Sequence, residues 1–313
     1  MRNGRVCVAT LVTLLVIGVF ASSQEQPPSV EVGILTRDGI GARALAIGGA
    51  FVALVDDSTA CYYNPATLAS LLGTHIGGMY ESKFAPSTGT SFQHLAATYR
   101  LPQTPLGGGL LLVRRSDTGI PHEGGTFSAS ETLVLASAGY GLAGHLPVAW
   151  VDRLDVGASL KLYAHRGLAD IRARGVGVDL ALSGEATLQA WTVCFGYRSS
   201  DLAGATIRWS NTRNEIAEAV PWGHHLGFGA SFPEWGLRVV GEFSLYPSEA
   251  ELNAARVGIE ISLFGFALRA GLADGTPTFG AGMEILPGLS IDAALIVHGA
   301  LGTSIVASSE FAF

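Results

Sequence analysis

The spacing most suggestive of chemistry is Gly39-Ile40-Gly41-Ala42-Arg43-Ala44, a G-x-G-x-x-A run after the extended-looking Glu31-Val32-Gly33-Ile34-Leu35. In a dinucleotide site such glycines let a pyrophosphate approach a helix N-terminus, and Asp56 or Asp57 would lie near the distance of a ribose-binding acid. That chemistry needs a second parallel strand after the helix, and the downstream chain shows no alternating helix pattern. The run reads instead as glycine-rich turns beside a short helix. His224 and His225 are adjacent in a strand-like segment, so they face opposite ways and cannot share a metal. His122-Glu123 lacks the second histidine of H-E-x-x-H, and no G-x-S-x-G occurs. Cys7, Cys61 and Cys194 are too few for a disulfide framework and lack metal-ligand spacing. Two unpaired thiols and a single Cys61–Cys194 bridge both stay open. No catalytic residue, metal or cofactor is expected.

What remains is one dense block, "GGAFVALVDDSTACYYNPATLASL" at 48–71, with Gly48, Gly49, Asp56, Asp57, Asn64, Pro65 and Ala66 as its distinctive residues. Asn64 precedes a proline and is pushed out of helical conformation, while Pro65 suits the first position of a short helix through Leu71. The Asn64 side chain can cap that helix.

The elements around this block are strands. In Arg153 to His165 the even positions carry Leu154, Val156, Ala158, Leu160, Leu162 and Ala164, and the odd positions are polar or glycine apart from Tyr163. Side chains alternate faces along a strand, so one face is apolar and the other polar. The pattern recurs at Ala255–Leu263 and Arg174–Leu182, and similar segments begin near 74, 92, 107, 131, 189, 205, 222, 237, 264, 278, 289 and 303. Bacterial barrels close with even strand numbers, which points to about 14. Arg153, Asp155, Lys161, Asp179, Arg208, Arg238, Glu242, Arg256, Glu260 and Glu284 are placed on the polar faces, together with many of the 41 glycines. A wet lumen of mixed charge accounts for them. So does a solvated outer sheet face.

Composition favours the barrel. Hydrophobic residues make up 48% of the 313, charged residues 14%, and mean hydropathy is +0.37. A soluble domain carries about 25% charged residues. Yet after the N-terminus no apolar run reaches the roughly 18 residues of a spanning helix. A transmembrane β-barrel produces this combination, because its apolar residues occupy every second position. The net charge of −7 argues against nucleic acid. Residues 1–23 read as a cleaved secretory signal, with Arg2 and Arg5 before an apolar centre from Val6 to Phe20. At the other end, Ile305, Ala307, Phe311 and Phe313 share one face of a final strand. Such an ending resembles the signal read by the barrel-assembly machinery of bacterial outer membranes, with Phe311 and Phe313 as its aromatic residues.

"GARALAIGGAFVALVDDSTACYYNPATLA", residues 41–69, resembles the N-terminal signature of the FadL-type outer-membrane family. It is most similar to the PorV/PorQ-like, uncharacterised spirochaete-type branch. "LDVGASLKLYAH…RGVGVDLAL" and "HGALGTSIVASSEFAF" carry the likeness more loosely to the end of the chain. Thr67 and Cys61 depart from the usual residues. The resemblance implies an all-β transmembrane antiparallel barrel over 74–313, with 24–73 as a small helical and loop plug in the lumen. It implies a passive channel for small hydrophobic compounds in the outer membrane, among outer-membrane lipids. The rival is a PorV-like component binding secreted proteins, or a structural barrel with no conduit. Under the plug reading, Asp56 and Asp57 are expected to meet Arg153, Lys161, Arg256 or Arg269. The loops Ser82–Ser91, Ser116–Ser130 and Asn211–Trp222 are expected to be the longest outside.

The barrel reading has a direct outcome. The protein should be recovered with outer membranes and shift in electrophoretic mobility on heating; recovery from a periplasmic extract without detergent would contradict it.

Overall fold

Alternation of side chains builds the wall. The computed structural model describes residues 34–85, 89–142, 151–167, 171–211, 216–249, 252–299 and 301–313, so the expected signal segment 1–23 lies outside the described residues. The described strands are β1 (Thr74–Ala85), β2 (Thr90–Arg100), β3 (Leu106–His122), β4 (Gly125–Gly141), β5 (Arg153–Arg166), β6 (Arg172–Leu188), β7 (Trp191–Ser200) and β8 (Ala205–Ser210). There follow β9 (Ala217–Val220), β10 (Gly223–Phe232), β11 (Leu237–Leu245), β12 (Ala254–Leu263), β13 (Phe266–Ala273), β14 (Thr276–Leu286), β15 (Leu289–His298) and β16 (Gly302–Ala312). Neighbours pair antiparallel, and β16 pairs with both β15 and β1, which closes the sheet. β6 pairs with β7 along one half and β8 along the other, and β9 pairs with β8 while β10 pairs with β7. β7 and β8 therefore share one wall position, as do β9 and β10. The sixteen segments make a closed barrel of fourteen strands.

Facing follows the alternation in mid-barrel. On β5, Leu160 and Leu162 are nearly half exposed, while Ser159 and Lys161 are buried on the inside. On β12, Ile259 and Ile261 point out and Glu260 points in. A belt of exposed apolar side chains around a closed barrel is a surface that hydrocarbon solvates and water does not. Two connections at the end carrying Thr74 and Phe313 are two-residue turns, Gln189-Ala190 joining β6 to β7 and Phe264-Gly265 joining β12 to β13. Phe311 and Phe313 lie outward at this end with ring centroids 5.1 Å apart.

Three expectations change. Ser116–Ser130 is no loop: β3 and β4 continue as a hairpin to a turn at Glu123-Gly124, where Gly124 takes φ 97°. Arg208 does not face the lumen. Near that end of the wall the alternation is inverted, so Ile207 is buried inside and Arg208 points out.

The lumen itself is filled rather than wet. Residues 35–71 are almost wholly buried and, together with inward residues of the strands, form the largest apolar core. Arg at Ser159 or Glu260 would therefore not be tolerated as in an open channel. Ser159 is pressed against the Cys61 carbonyl, and Glu260 already accepts from Arg43 and Arg269.

Ile259→Arg or Leu160→Arg should each lower folding stability by about 2–4 kcal/mol, as a charge entering hydrocarbon. Urea titration in lipid vesicles measures this, and equal stability to Ile259→Ala would reverse the facing.

Candidate functional site

The block inside the barrel is built from short pieces: a five-residue helix Ala42–Ala46, a single helical turn Ala60–Tyr63 and a 3₁₀ helix Pro65–Ala69. Asn64 is extended, at φ −158°, and its side chain accepts from the Ala66 amide 3.1 Å away. Its Nδ2 donates to the carbonyls of Val52 and, on β6, Leu182. Tyrosines tie the start of the block to its middle. The Tyr63 hydroxyl accepts from the Ile40 amide and donates to the Ile40 carbonyl, each at 2.9 Å, and Tyr62 accepts from the Gly39 amide. The amides of Gly41 and Ala42 are taken by Met79 sulfur and Ser308 Oγ, and the helix is followed by no parallel strand. The glycine run at 39–44 is a turn, as its residues suggest.

This block meets the wall where the wall has no side chains. Gly107, Gly139 and Gly157 are opposite one another on β3, β4 and β5, and Pro65–Ala69 lies across them. A Cβ on Gly139 would stand 2.5 Å from the Pro65 carbonyl oxygen and 2.8 Å from that of Ala66. Gly196 and Gly227, paired on β7 and β10, receive Val52 and Ala53. Gly258 and Gly271, paired on β12 and β13, receive Ile47 and Gly48. At the last site Thr278 donates to the Ala46 carbonyl and accepts from the Gly48 amide. Gly48 has φ +75°, and a side chain there would strike the Leu272 carbonyl at 2.7 Å. Sequence reading counted these glycines but missed their role, because only strand register brings them side by side.

Polar ties run opposite to expectation. Asp56 and Asp57 do not reach Arg153, Lys161, Arg256 or Arg269; Asp56 pairs with Arg43 and, at 2.8 Å, with Arg238 of β11. Mostly it is backbone of the block that binds wall side chains. Glu242 accepts from the Phe51 and Val52 amides at 3.0 and 3.1 Å, and Glu310 from the Ser58 amide at 2.8 Å. Arg198 donates to the Tyr62 carbonyl and Arg153 to Ser70 Oγ. Arg43 adds a bidentate contact to Glu260. The two acids of the block titrate in opposite directions. Burial opposes ionisation of Asp56, but the guanidinium groups of Arg43 and Arg238 outweigh it and hold its carboxyl well below the usual range. Burial and then the Glu310 carboxylate push Asp57 up to about 7.

Cys61 and Cys194 are both free and buried, Cys61 resting against Gly109. His225 faces inward between Ser200 and Ser244, while His224 bonds Tyr197 on the other face. No cluster among the described residues could hold a metal.

Two features lie on the side of the block away from the chain end. One is a cavity of about 250 Å³ with a charged floor, including Tyr62, Arg198, Glu242 and Arg256. The other is an inner wall strip of buried apolar residues, Phe92, Leu111, Val113, Leu133, Leu135 and Ile207, with Leu35 in the same core. In register, Leu135 leads through Lys161 to Gly177. There the wall is interrupted. β6 pairs with β8 up to Val176 and with β7 from Leu180, and the chain turns at Asp201–Gly204 with φ +51° at Asp201. Side chains fill the gap: Lys161 lies 2.7 Å from Asp179 and 2.9 Å from Asp201, all three buried, and Tyr163 donates to Asp201.

No family model matches the chain, and no curated protein matches its sequence. Among solved structures it is similar to the CymD monoaromatic hydrocarbon channel, at 15% identity and TM-score 0.62 over 88% of this chain and 98% of that one. It shares this fold. The Pseudomonas putida toluene transporter TodX aligns at 14% identity and TM-score 0.55 over 87% and 96%. A Pseudomonas aeruginosa FadL homologue aligns at 11% and 0.54 over 87% and 98%.

Two outcomes test the seat of the block. Gly139→Val should weaken docking by about 1–3 kcal/mol through overpacking, raising protease cleavage within 39–71 while the strands stay paired. A docked Asp57 holds its proton to about pH 7, whereas an undocked one releases it near the ordinary 3.8. The docked state thus binds more protons, so docking should weaken as pH rises from about 4 to 7. Cleavage should rise over that window, and Asp57→Asn should flatten the profile.

Proposed function

We propose that the protein is an outer-membrane channel through which small hydrophobic molecules pass without an energy source. The observation that carries this reading is the apolar inner strip that ends at the interruption of the wall between β6 and β7–β8. An apolar molecule on that strip has a side exit into the hydrocarbon layer and need not cross the charged floor of the cavity. Val176, Val178, Leu180 and Leu202 flank the interruption on the outside and are exposed, so the exit is apolar on its lipid side. The fold shared with proteins described as monoaromatic hydrocarbon channels and a toluene transporter supports the same substrate class.

In this reading the block is the plug that closes the path. Leu35 occupies the strip, and the Lys161–Asp179–Asp201 cluster seals the exit. Passage requires the segment bearing Leu35 to swing away and the cluster to part. Strand pairing supplies the backbone hydrogen bonds of the wall, so the barrel can close without the block. Phe311 and Phe313 are assigned to recognition by the assembly machinery, consistent with their outward position beside the β1–β16 seam.

Deleting residues 39–70 should leave a heat-modifiable barrel with faster uptake of a hydrophobic naphthylamine dye by cells producing it. Leu35→Ala should raise uptake less, with the barrel still heat-modifiable. Unchanged uptake in well-folded variants would favour the alternative of a barrel that binds secreted proteins at the surface.

A further inference from the structure

Near the long-hairpin end, the outer surface of the wall carries charge where the rest of it is apolar. On β3, β4, β5, β6 and β8 the outward residues fall into registered rows. One row is Arg114, Thr132, Ala164, Arg174 and Arg208. The next, toward the mouth, is Ser116, Ser130, Arg166, Arg172 and Ser210. The row below is Leu112, Val134, Leu162 and Val176, the upper margin of the apolar belt. Rows two residues apart are about 7 Å apart, and five strands span roughly 19 Å. Five arginines thus share a face about the width of one lipid headgroup with several chains.

Among the described residues, nothing neutralises most of them. All five are exposed, and Arg114, Arg166, Arg174 and Arg208 form no ion pair with a described residue. Arg174 stands directly opposite Arg208. Like charges opposed across strands are destabilising unless an anion lies between them. Among the described residues the carboxylate nearest in register, Glu218 opposite Ile207, belongs to the inward face. A groove of about 400 Å³, lined by Arg172, Arg174, Arg208, Ser210 and Asn211, lies over this pair. In a chain of net charge −7 with 19 basic residues, this concentration is local rather than general.

We infer that this patch binds the phosphate groups of a phosphorylated glycolipid of the outer leaflet, lipopolysaccharide being the form to test. The inference rests on the outer-membrane reading above. Bacterial barrels project their long hairpins on the outer side, and the β3–β4 hairpin, which continues past its pairing with β2 to His122, puts the patch at the external surface. Its height fixes the occupant: an anion bound there and also covering the apolar row beneath must carry acyl chains. Guanidinium forks bind phosphate oxygens in pairs, and the Ser116 and Ser130 hydroxyls, with Thr132, supply further donors. The long β3–β4 hairpin rises beside the patch and would flank the sugar portion.

The experiment titrates the purified full-length protein in detergent with three probes: lipopolysaccharide, the same glycolipid stripped of phosphate, and inorganic phosphate. A triple variant, Arg166→Gln with Arg174→Gln and Arg208→Gln, is carried alongside. Wild type should bind intact glycolipid at least about tenfold more tightly than does the variant, the loss of several charge-assisted bonds. The stripped glycolipid should reproduce that loss on wild type, which keeps the test decisive if the variant fails to fold. Equal binding of the variant, or of the stripped glycolipid, overturns the inference. Displacement by inorganic phosphate at matched concentration overturns the lipid as occupant. Heat-modifiability and insertion into vesicles are scored in parallel: if wild type shows neither, the membrane reading has failed, and if it shows both without phosphate-dependent binding, only the patch has.

Discussion

Where Pro65–Ala69 crosses β3, β4 and β5, backbone lies against backbone, because Gly107, Gly139 and Gly157 place no side chain between them. The same contact is made by Val52–Ala53 on Gly196 and Gly227, and by Ile47–Gly48 on Gly258 and Gly271. These three seats lie on different sectors of the wall, so the block spans the lumen. Its position is over-determined. The close approach also explains the choice of polar partners. Of the backbone amides at 48, 51, 52 and 58 only that of Gly48 has a backbone acceptor, the Leu45 carbonyl at 3.2 Å, and an unpaired buried amide is costly. Inward Thr278, Glu242 and Glu310 accept from them. Wall carboxylates here serve main chain before they serve cations.

With the block seated, the lumen divides into two sides. Toward β11–β16 it is ionic, with Glu242, Glu260, Arg269 and Asp292 linked to one another or to the block. Toward β2–β8 it is apolar, and the apolar side is where the wall ladder breaks. A ladder can be interrupted in mid-barrel only if the freed groups find other partners. Here the Asp201 amide donates to Asp179, the Leu202 amide donates to the Val178 carbonyl, and Lys161 is held between the two aspartates. Buried charges of this kind add little net stability but depend strongly on one another. The weak point of the wall is thus held by contacts that can part together, beside the surface most suited to an apolar molecule.

The barrel was legible because period-two alternation is local. Any single strand, such as 153–165, carries the whole signal, and so does Asn64-Pro65, whose conformation depends on its neighbours alone. Other features depend on register. Gly107, Gly139 and Gly157 are ordinary strand glycines until pairing aligns them. Asp56 could not be matched to its partner because Arg43, 13 residues before it, reaches it first, and Arg238 rather than four other inward cations lies within reach. Arg208 was misplaced because alternation does not say which face is inside, and on β8 the lumen is the apolar side. Two wall strands are each broken in two, at Asp201–Gly204 and between Val220 and Gly223, and periodicity does not show that the two pieces share one wall position.

Amide hydrogen exchange on the detergent-solubilised protein tests the seated block most directly. If the block is fixed on the glycine seats, the amides of Gly48, Phe51, Val52 and Ser58 should exchange as slowly as those of the paired wall strands, although none belongs to a helix or strand. Exchange of these four within seconds, while the strands stay protected, would show a mobile segment inside a barrel that does not hold it.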